Sequence, residues 1–312
     1  MTLEGIDVED ASGAFIPELV EVECAVCGSR DYRVLLPDTL GNRPPVFGYK
    51  WTPEIRLCYR VVRCAGCGHA YSSPRLKNMF EHYVDTYDAG YLDNAPLRVA
   101  TAENVLEKIR EFVPSGRLLD VGCASGDFLE VARAFYDVEG LELSTWAVDI
   151  SREKGLTVDA KLLEEKAQEG EQYDVITMWG VIEHLEHPEV EMKYVNQLLK
   201  PGGIACFWTG DSDSLFFKIL GARWWYVLGQ HIQYFSRKSI QTLLEKAGFE
   251  KLHDGIYPYV ISYKYLAISL SRYRGVGALF SAVVAVLGLE DKTFVLRKPD
   301  EIFAIYQKRP IQ

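Results

Sequence analysis

Two kinds of residue cluster in this chain could do chemistry: paired cysteines and a glycine turn followed by acids. Cys24 and Cys27 form one Cys-x-x-Cys pair, Cys64 and Cys67 a second, with 36 residues between the pairs. Four thiolates match the closed tetrahedral shell of structural Zn²⁺. Gly28 and Gly68, following the second cysteine of each pair, let the backbone turn so that amides point at the sulfurs. A closed four-cysteine site keeps no open coordination position, so its expected role is stability; rubredoxin-like iron is the alternative. Cys58, Cys123 and Cys206 read as ordinary buried thiols, and His69 as a bystander beside the second pair.

The second cluster is Leu118–Gly126, LLDVGCASG, an apolar strand entering a glycine turn before a helix that begins near Asp127. Gly122 permits a tight turn after the strand. Gly126 lets a ligand or the next helix approach without a Cβ in the way. Glu142 stands 22 positions after Asp120, where an open α/β sheet presents a carboxylate to ribose hydroxyls. Ala124 occupies the middle position of the turn, so the spacing suits dinucleotides poorly.

Stepping outward, strands at 117–121, 138–142, 156–158, 173–178 and 204–209 alternate with helical spacing at 127–134, 146–154 and 188–199. That alternation predicts a parallel sheet covered on both faces. A helix over 238–247 with Ser236 as N-cap, a sixth strand at 249–257 and a seventh at 301–307 complete it. The chain therefore divides into a short-stranded cysteine module (1–80), a helical linker or lid (81–116), the α/β core (117–257), an apolar helical insertion (258–299) and a last core strand (300–312).

Composition narrows the class. With 48 % hydrophobic and 25 % charged residues, the 312-residue chain is an ordinary globular protein of about two domains. A net charge of −10 disfavours non-specific nucleic-acid binding. Glu4, Asp7, Glu9 and Asp10 are the wrong sign for a secretory leader, and the longest uncharged run, 275–289, is too short to span a membrane. Seven cysteines, four of them in two Cys-x-x-Cys pairs, without an export signal favour metal binding over disulfides and a cytoplasmic protein.

Several landmarks in order give a resemblance: LLDVGCASG (118–126), GLELS (140–144), YDVITMWGVIEHLEHP (173–188), LLKPGG (198–203), HIQYFS (231–236) and LLEKAGF (243–249). Together they resemble class I S-adenosylmethionine-dependent methyltransferases related to the ubiquinone-biosynthesis O-methyltransferases. The resemblance covers about residues 100–257 and the last strand. It implies a seven-stranded Rossmann-like sheet and S-adenosyl-L-methionine as cofactor. It places Asp120, Gly122 and Gly126 at the methionine end, with Cys123 in the same cofactor-binding loop, Glu142 at the ribose, Leu143 by the adenine, and Met178, Trp179 and Gly180 around the sulfonium. Tyr87 and Tyr91 resemble a Tyr-x-x-x-Tyr lid over the cofactor. Gly180 stands where the quinone enzymes carry a metal-binding Glu, which argues against metal-assisted deprotonation. The candidate bases are then His184, with Glu183, and His231; His187 reads as a turn residue. Trp224, Trp225 and Tyr226 would wall an acceptor site or simply pack.

A zinc ribbon joined to such a core looks like deoxysugar C-methyltransferases, pointing to a small-molecule acceptor such as a sugar nucleotide or natural-product intermediate. An RNA methyltransferase is the rival, because residues 28–77 carry nine basic and three acidic side chains. A non-catalytic zinc-dependent scaffold is the second. The insertion's apolar residues, among them Val276, Leu279, Val283, Val284 and Leu287, suggest burial within the fold or in a homodimer, with a membrane surface as the third reading.

Overall fold

The computed structural model describes residues 19–41, 43–48, 52–270 and 275–310. The acidic residues at 4–10, and residues 271–274 of the insertion, lie outside the described residues.

Seven strands form the central sheet: β1 Gly116–Val121, β2 Tyr136–Leu141, β3 Thr157–Asp159, β4 Tyr173–Trp179, β5 Leu199–Gly210, β6 Phe249–Gly255 and β7 Glu301–Lys308. Their order across the sheet is β3-β2-β1-β4-β5-β7-β6. The first five run parallel, and β7 is antiparallel to both β5 and β6. Strand order reverses between β1 and β4, so their carboxyl ends open a crevice at the switch point. Residues such as Leu118, Leu119, Val175 and Ile176 are almost fully buried because helices cover both faces. β7 shows the alternation directly: Ile302, Ala304 and Tyr306 enter the core on one face, Phe303 and Ile305 on the other.

The helices are α1 Ala95–Arg110, α2 Asp127–Ala132, α3 Thr145–Glu153, α4 Leu163–Gln168, α5 Pro188–Leu198, α6 Leu215–Leu220, α7 Arg237–Lys246, α8 Tyr263–Leu270 and α9 Val276–Val286. Ser236 caps α7 by accepting from the Ser239 amide at 3.2 Å, as the sequence predicts.

Outside the sheet the sequence reading needs correction. The expected helix over 81–115 exists only from Ala95; before it the chain makes two 3₁₀ segments, Met79–Tyr83 and Ala89–Asn94. Apolar spacing holds through α1, but Gly90 and a polar 85–88 stretch cannot sustain it upstream. The expected sixth strand ends at Gly255, and Pro258–Ser262 instead pairs with Thr293–Arg297 in a separate hairpin at the base of the insertion. The short helices α4 and α6 were not anticipated. Burial of the insertion within the fold is overturned: Val276, Leu279, Val283 and Leu287 are exposed, and of the five residues named above only Val284 is buried.

The cysteine module is a small antiparallel sheet in the order Gln233–Tyr234, Ala70–Ser72, Val61–Cys64, Tyr32–Leu36. Its edge strand comes from the core: Gln233 pairs with Tyr71 and Tyr234 with Ala70. Cys24, Val26, Val62, Cys64 and Tyr71 then share one apolar cluster with Phe235, Ile240 and the central sheet.

Candidate functional site

The turn after β1 shapes the crevice. Gly122 and Gly126 have φ of +70° and +73°, and a Cβ at Gly126 would meet Leu156 Cδ1 at 2.4 Å. Ala124 adopts φ +47°, a left-handed conformation that costs a non-glycine residue about 1 kcal/mol. It is held there from both sides: its amide donates to Glu142 Oε2 at 2.9 Å, and its carbonyl accepts from Ser151 Oγ at 2.8 Å. Glu142 also accepts the Leu143 and Ser144 amides, each at 2.8 Å, so this buried carboxylate ties the ends of β1 and β2 together. Asp120 is buried and accepts from Thr177 Oγ1 at 2.6 Å. Burial pushes its carboxyl up to about 8, and Glu142 nearby adds to the effect.

Two donor atoms on elements beside this crevice are buried without protein partners. Arg98, from α1, donates through Nε to Asp127 Oδ2 at 2.6 Å and through Nη1 to the Tyr91 carbonyl at 2.7 Å, which leaves Nη2 buried and unsatisfied. The indole Nε1 of Trp179, at the end of β4, is likewise unsatisfied. An orphaned buried donor is costly, and a ligand that accepts from it removes the cost. Sequence reasoning missed Arg98, because it reaches Asp127 through the packing of α1 on α2 and not through any local pattern.

The other predicted residues divide. Tyr91 lies under the Arg98 guanidinium, 3.6 Å from its ring centroid, and its hydroxyl feels Asp120, Asp127 and Glu142. Tyr87 does not join it: 68 % exposed, it meets Trp146 edge-on at 5.3 Å. Met178 points into the core, and Cys123 packs its thiol against Gly140, so neither side chain faces the crevice. Leu143 is half-buried beside Glu142. Gly180 has φ +70°, and a Cβ there would strike Trp208 at 2.8 Å.

Glu183, His184 and His231 come together beyond β4, their ligating atoms within 4.8 Å of one another. Glu183 accepts from Thr209 Oγ1 at 3.1 Å, and that hydroxyl also bonds the Tyr226 hydroxyl at 2.7 Å. Burial raises the Glu183 carboxyl to about 7. His184 is held on both sides: Nδ1 lies 2.6 Å from the Tyr83 hydroxyl and 3.0 Å from the Gln230 carbonyl, and the Gly180 carbonyl takes a further hydrogen bond. His231 donates through Nδ1 to the Tyr226 carbonyl at 2.7 Å, which leaves Nε2 with its lone pair. Burial pushes both imidazoles down, His184 to about 4, so both are neutral near pH 7. Tyr83 was also missed; Tyr83, Tyr87 and Tyr91 share a four-residue spacing that could have drawn attention to it.

An aromatic wall closes the same edge. Asp300 accepts the indole N–H of both Trp224 and Trp225 at 2.6 Å, and buried Glu301 accepts from Trp208 Nε1 at 3.2 Å. Lys298 pairs with Glu301 at 2.5 Å and lies 3.4 Å from the Trp225 ring centroid. Trp224 and Tyr226 are fully buried packing residues; half-buried Trp225 remains available to line a site.

At the cysteines, Cys24 and Cys67 Sγ lie 3.5 Å apart and Cys27 and Cys64 Sγ 3.4 Å. Tetrahedral metal–thiolate bonds of about 2.3 Å place sulfurs about 3.8 Å apart, so the cradle fits a metal ion. Gly28 and Gly68 take φ of +76° and +80°, as the knuckles require. His69 is buried, with its ring nitrogens 2.9 Å from Gln233 Oε1 and 3.3 Å from Ser239 Oγ, and is no ligand. Three of the nine basic residues in 28–77 pair with acids: Arg30 with Glu23, Arg60 with Glu21 and Arg63 with Asp213.

Residues 94–254, just over half of the chain, match the family model described as a methyltransferase domain. The chain is 32 % identical over 148 residues to a ubiquinone biosynthesis O-methyltransferase of Cereibacter sphaeroides, covering 43 % of this chain and 60 % of that one. It is 37 % identical over 136 residues to the enzyme of the same name from Bordetella avium, covering 39 % and 56 %. The match thus spans less than two thirds of the length of these relatives. Among solved structures, a methyltransferase from Archaeoglobus fulgidus aligns with a TM-score of 0.48 and 17 % identity, covering 71 % of this chain and 100 % of that one.

Proposed function

The chain belongs to the methyltransferase domain family, and on that premise we propose that it moves a methyl group from S-adenosylmethionine to an oxygen of a small-molecule acceptor. The observation that carries the cofactor assignment is the buried, unsatisfied Nη2 of Arg98 at the mouth of the glycine turn. In this reading Arg98 takes the methionine carboxylate, Asp120 the α-ammonium group and Glu142 the ribose hydroxyls, while Gly122 and Gly126 leave room for close approach. Tyr91 covers the crevice and excludes water.

S-adenosylmethionine supplies an electrophilic methyl whose departure leaves a neutral thioether, so the protein's main task is to hold the acceptor in line. His231 acts as the base, because its Nε2 keeps a lone pair while Nδ1 is fixed on the Tyr226 carbonyl. His184, held on both sides, positions His231 by edge-to-face contact at 4.7 Å. Glu183 accepts from Thr209 and steadies the same pocket. Trp179, Trp208, Trp225 and Tyr257 would flank the acceptor. Oxygen is chosen over carbon because the relatives compared are named O-methyltransferases of ubiquinone biosynthesis. Those names give no support to the sugar acceptor suggested by the ribbon. The four cysteines would hold a structural Zn²⁺ and, through Gln233–Tyr234, brace the loop that carries His231.

The test is transfer of labelled methyl from S-adenosylmethionine to a panel of phenolic and sugar-nucleotide hydroxyl acceptors. His231→Asn is expected to lower kcat by about 10²–10⁴-fold on the accepted compound, with KM for S-adenosylmethionine little changed. An unchanged kcat would remove His231 from the mechanism.

A further inference from the structure

The insertion between β6 and β7 carries an apolar face that the rest of the described chain leaves uncovered. On α9 the exposed Val276, Leu279, Val283, Val286 and Leu287 recur at i, i+3, i+7, i+10 and i+11. At 3.6 residues per turn those positions fall within an arc of about 100°. Leu279 is 70 % exposed and Val286 86 %. Gly277 and Val284, on the other side, are buried. The stripe carries no charge, and exposed Tyr265 on α8 and Val295 in the hairpin add to the apolar surface of the arm. An uncovered face of this kind marks an interaction surface.

Charge selects the occupant. Residues 263–297 hold Lys264, Arg272, Arg274, Lys292 and Arg297 against Glu290 and Asp291, a net +3 in a chain whose total is −10. A two-fold dimer through this face would place like-charged arms against each other. An anionic lipid surface accepts both the apolar stripe and the net positive charge that the segment carries in sequence. No helix among the described residues is long and apolar enough to cross a membrane, so α9 would lie along the surface. We propose that the α8–α9 arm docks this protein on anionic membrane surfaces. The base of the arm, Tyr257 and Tyr259, packs on Trp208 at the crevice edge, so docking would bring the site close to the lipid.

The test is co-sedimentation of the full-length protein with phosphatidylcholine vesicles, with and without about one third phosphatidylglycerol. Wild type should bind the anionic vesicles, less so at high salt. Leu279→Asp/Val286→Asp should weaken binding at least about tenfold. Both positions are exposed, and an unchanged melting temperature would show that the variant is folded. Failure of wild type to bind anionic vesicles would overturn the proposal. So would a wild-type dimer in light scattering that the double variant dissociates, which would assign the face to a second copy.

Discussion

At the residue scale a few side chains keep buried polar atoms without a protein partner, Arg98 Nη2 and Trp179 Nε1 among them. Arg98 is the clearest, because its buried Nη2 has no protein partner while Nε and Nη1 hold Asp127 and the Tyr91 carbonyl beside the glycine turn. Asp120, Glu142 and the glycines were legible in the sequence because turn chemistry dictates residue type locally. Arg98 and Tyr83 were not, since each reaches its position through tertiary packing across 29 and 101 residues. The side chains of Met178 and Cys123 lie in the core, where strand alternation and the pitch of the turn direct them, so a part for either at the site would fall to its backbone. Ala124 makes a separate prediction. Its left-handed backbone is a strain that glycine does not feel, so Ala124→Gly should stabilise the fold by up to about 1 kcal/mol in urea unfolding. Destabilisation would mean that glycine's extra freedom in the unfolded chain outweighs the relief of strain.

At the scale of elements, the ribbon and the core act as one structure. The strand Gln233–Tyr234 lies between His231 and the N-cap of α7, yet it pairs with the cysteine module rather than with the central sheet. His69 repeats the link through Gln233 and Ser239. The paired cysteines were readable as a metal cradle from spacing alone, but a two-residue edge strand contributed from 160 residues away has no local signature. If Zn²⁺ fills the cradle, elemental analysis should give one zinc per chain. Chelation, or Cys64→Ser, should then lower the melting temperature and expose the Ser72 and Tyr234 amides, which face each other's strands, to hydrogen exchange. Loss of zinc with those amides still protected would separate the ribbon from the site. The insertion teaches the opposite lesson: its helices were legible by period, whereas their exposure was not, because an apolar helix reads the same whether the fold, a partner or a lipid surface covers it.

At the scale of the whole molecule, buried titratable groups predict an unusual pH profile. Burial holds Asp120 up to about 8 and Glu183 and Glu301 up to about 7. In the unfolded chain such groups titrate near 4. The folded protein therefore keeps protons that the unfolded chain has lost, and stability from these groups falls as pH rises through that window to 8. Buried His69 and His184 titrate near 4, and His231 is also pushed down, against about 6.5 unfolded. Their contribution is present above 6.5 and lost as pH falls towards 4. The two effects oppose between about pH 4.5 and 6.5, and above 6.5 the carboxyls act alone. The unliganded protein should thus melt at its highest temperature below about pH 6.5 and lose stability towards pH 8 in calorimetric scans. A steady rise to pH 8 would mean that these carboxyls are ionised in the fold.

The most direct test of the central claim is calorimetric titration of the metal-loaded protein with S-adenosylhomocysteine, in parallel with Arg98→Met. The account predicts one site of micromolar affinity in wild type, weakened at least about tenfold in the variant by loss of a charge-assisted contact. Folded wild-type protein that binds no S-adenosylhomocysteine would contradict it.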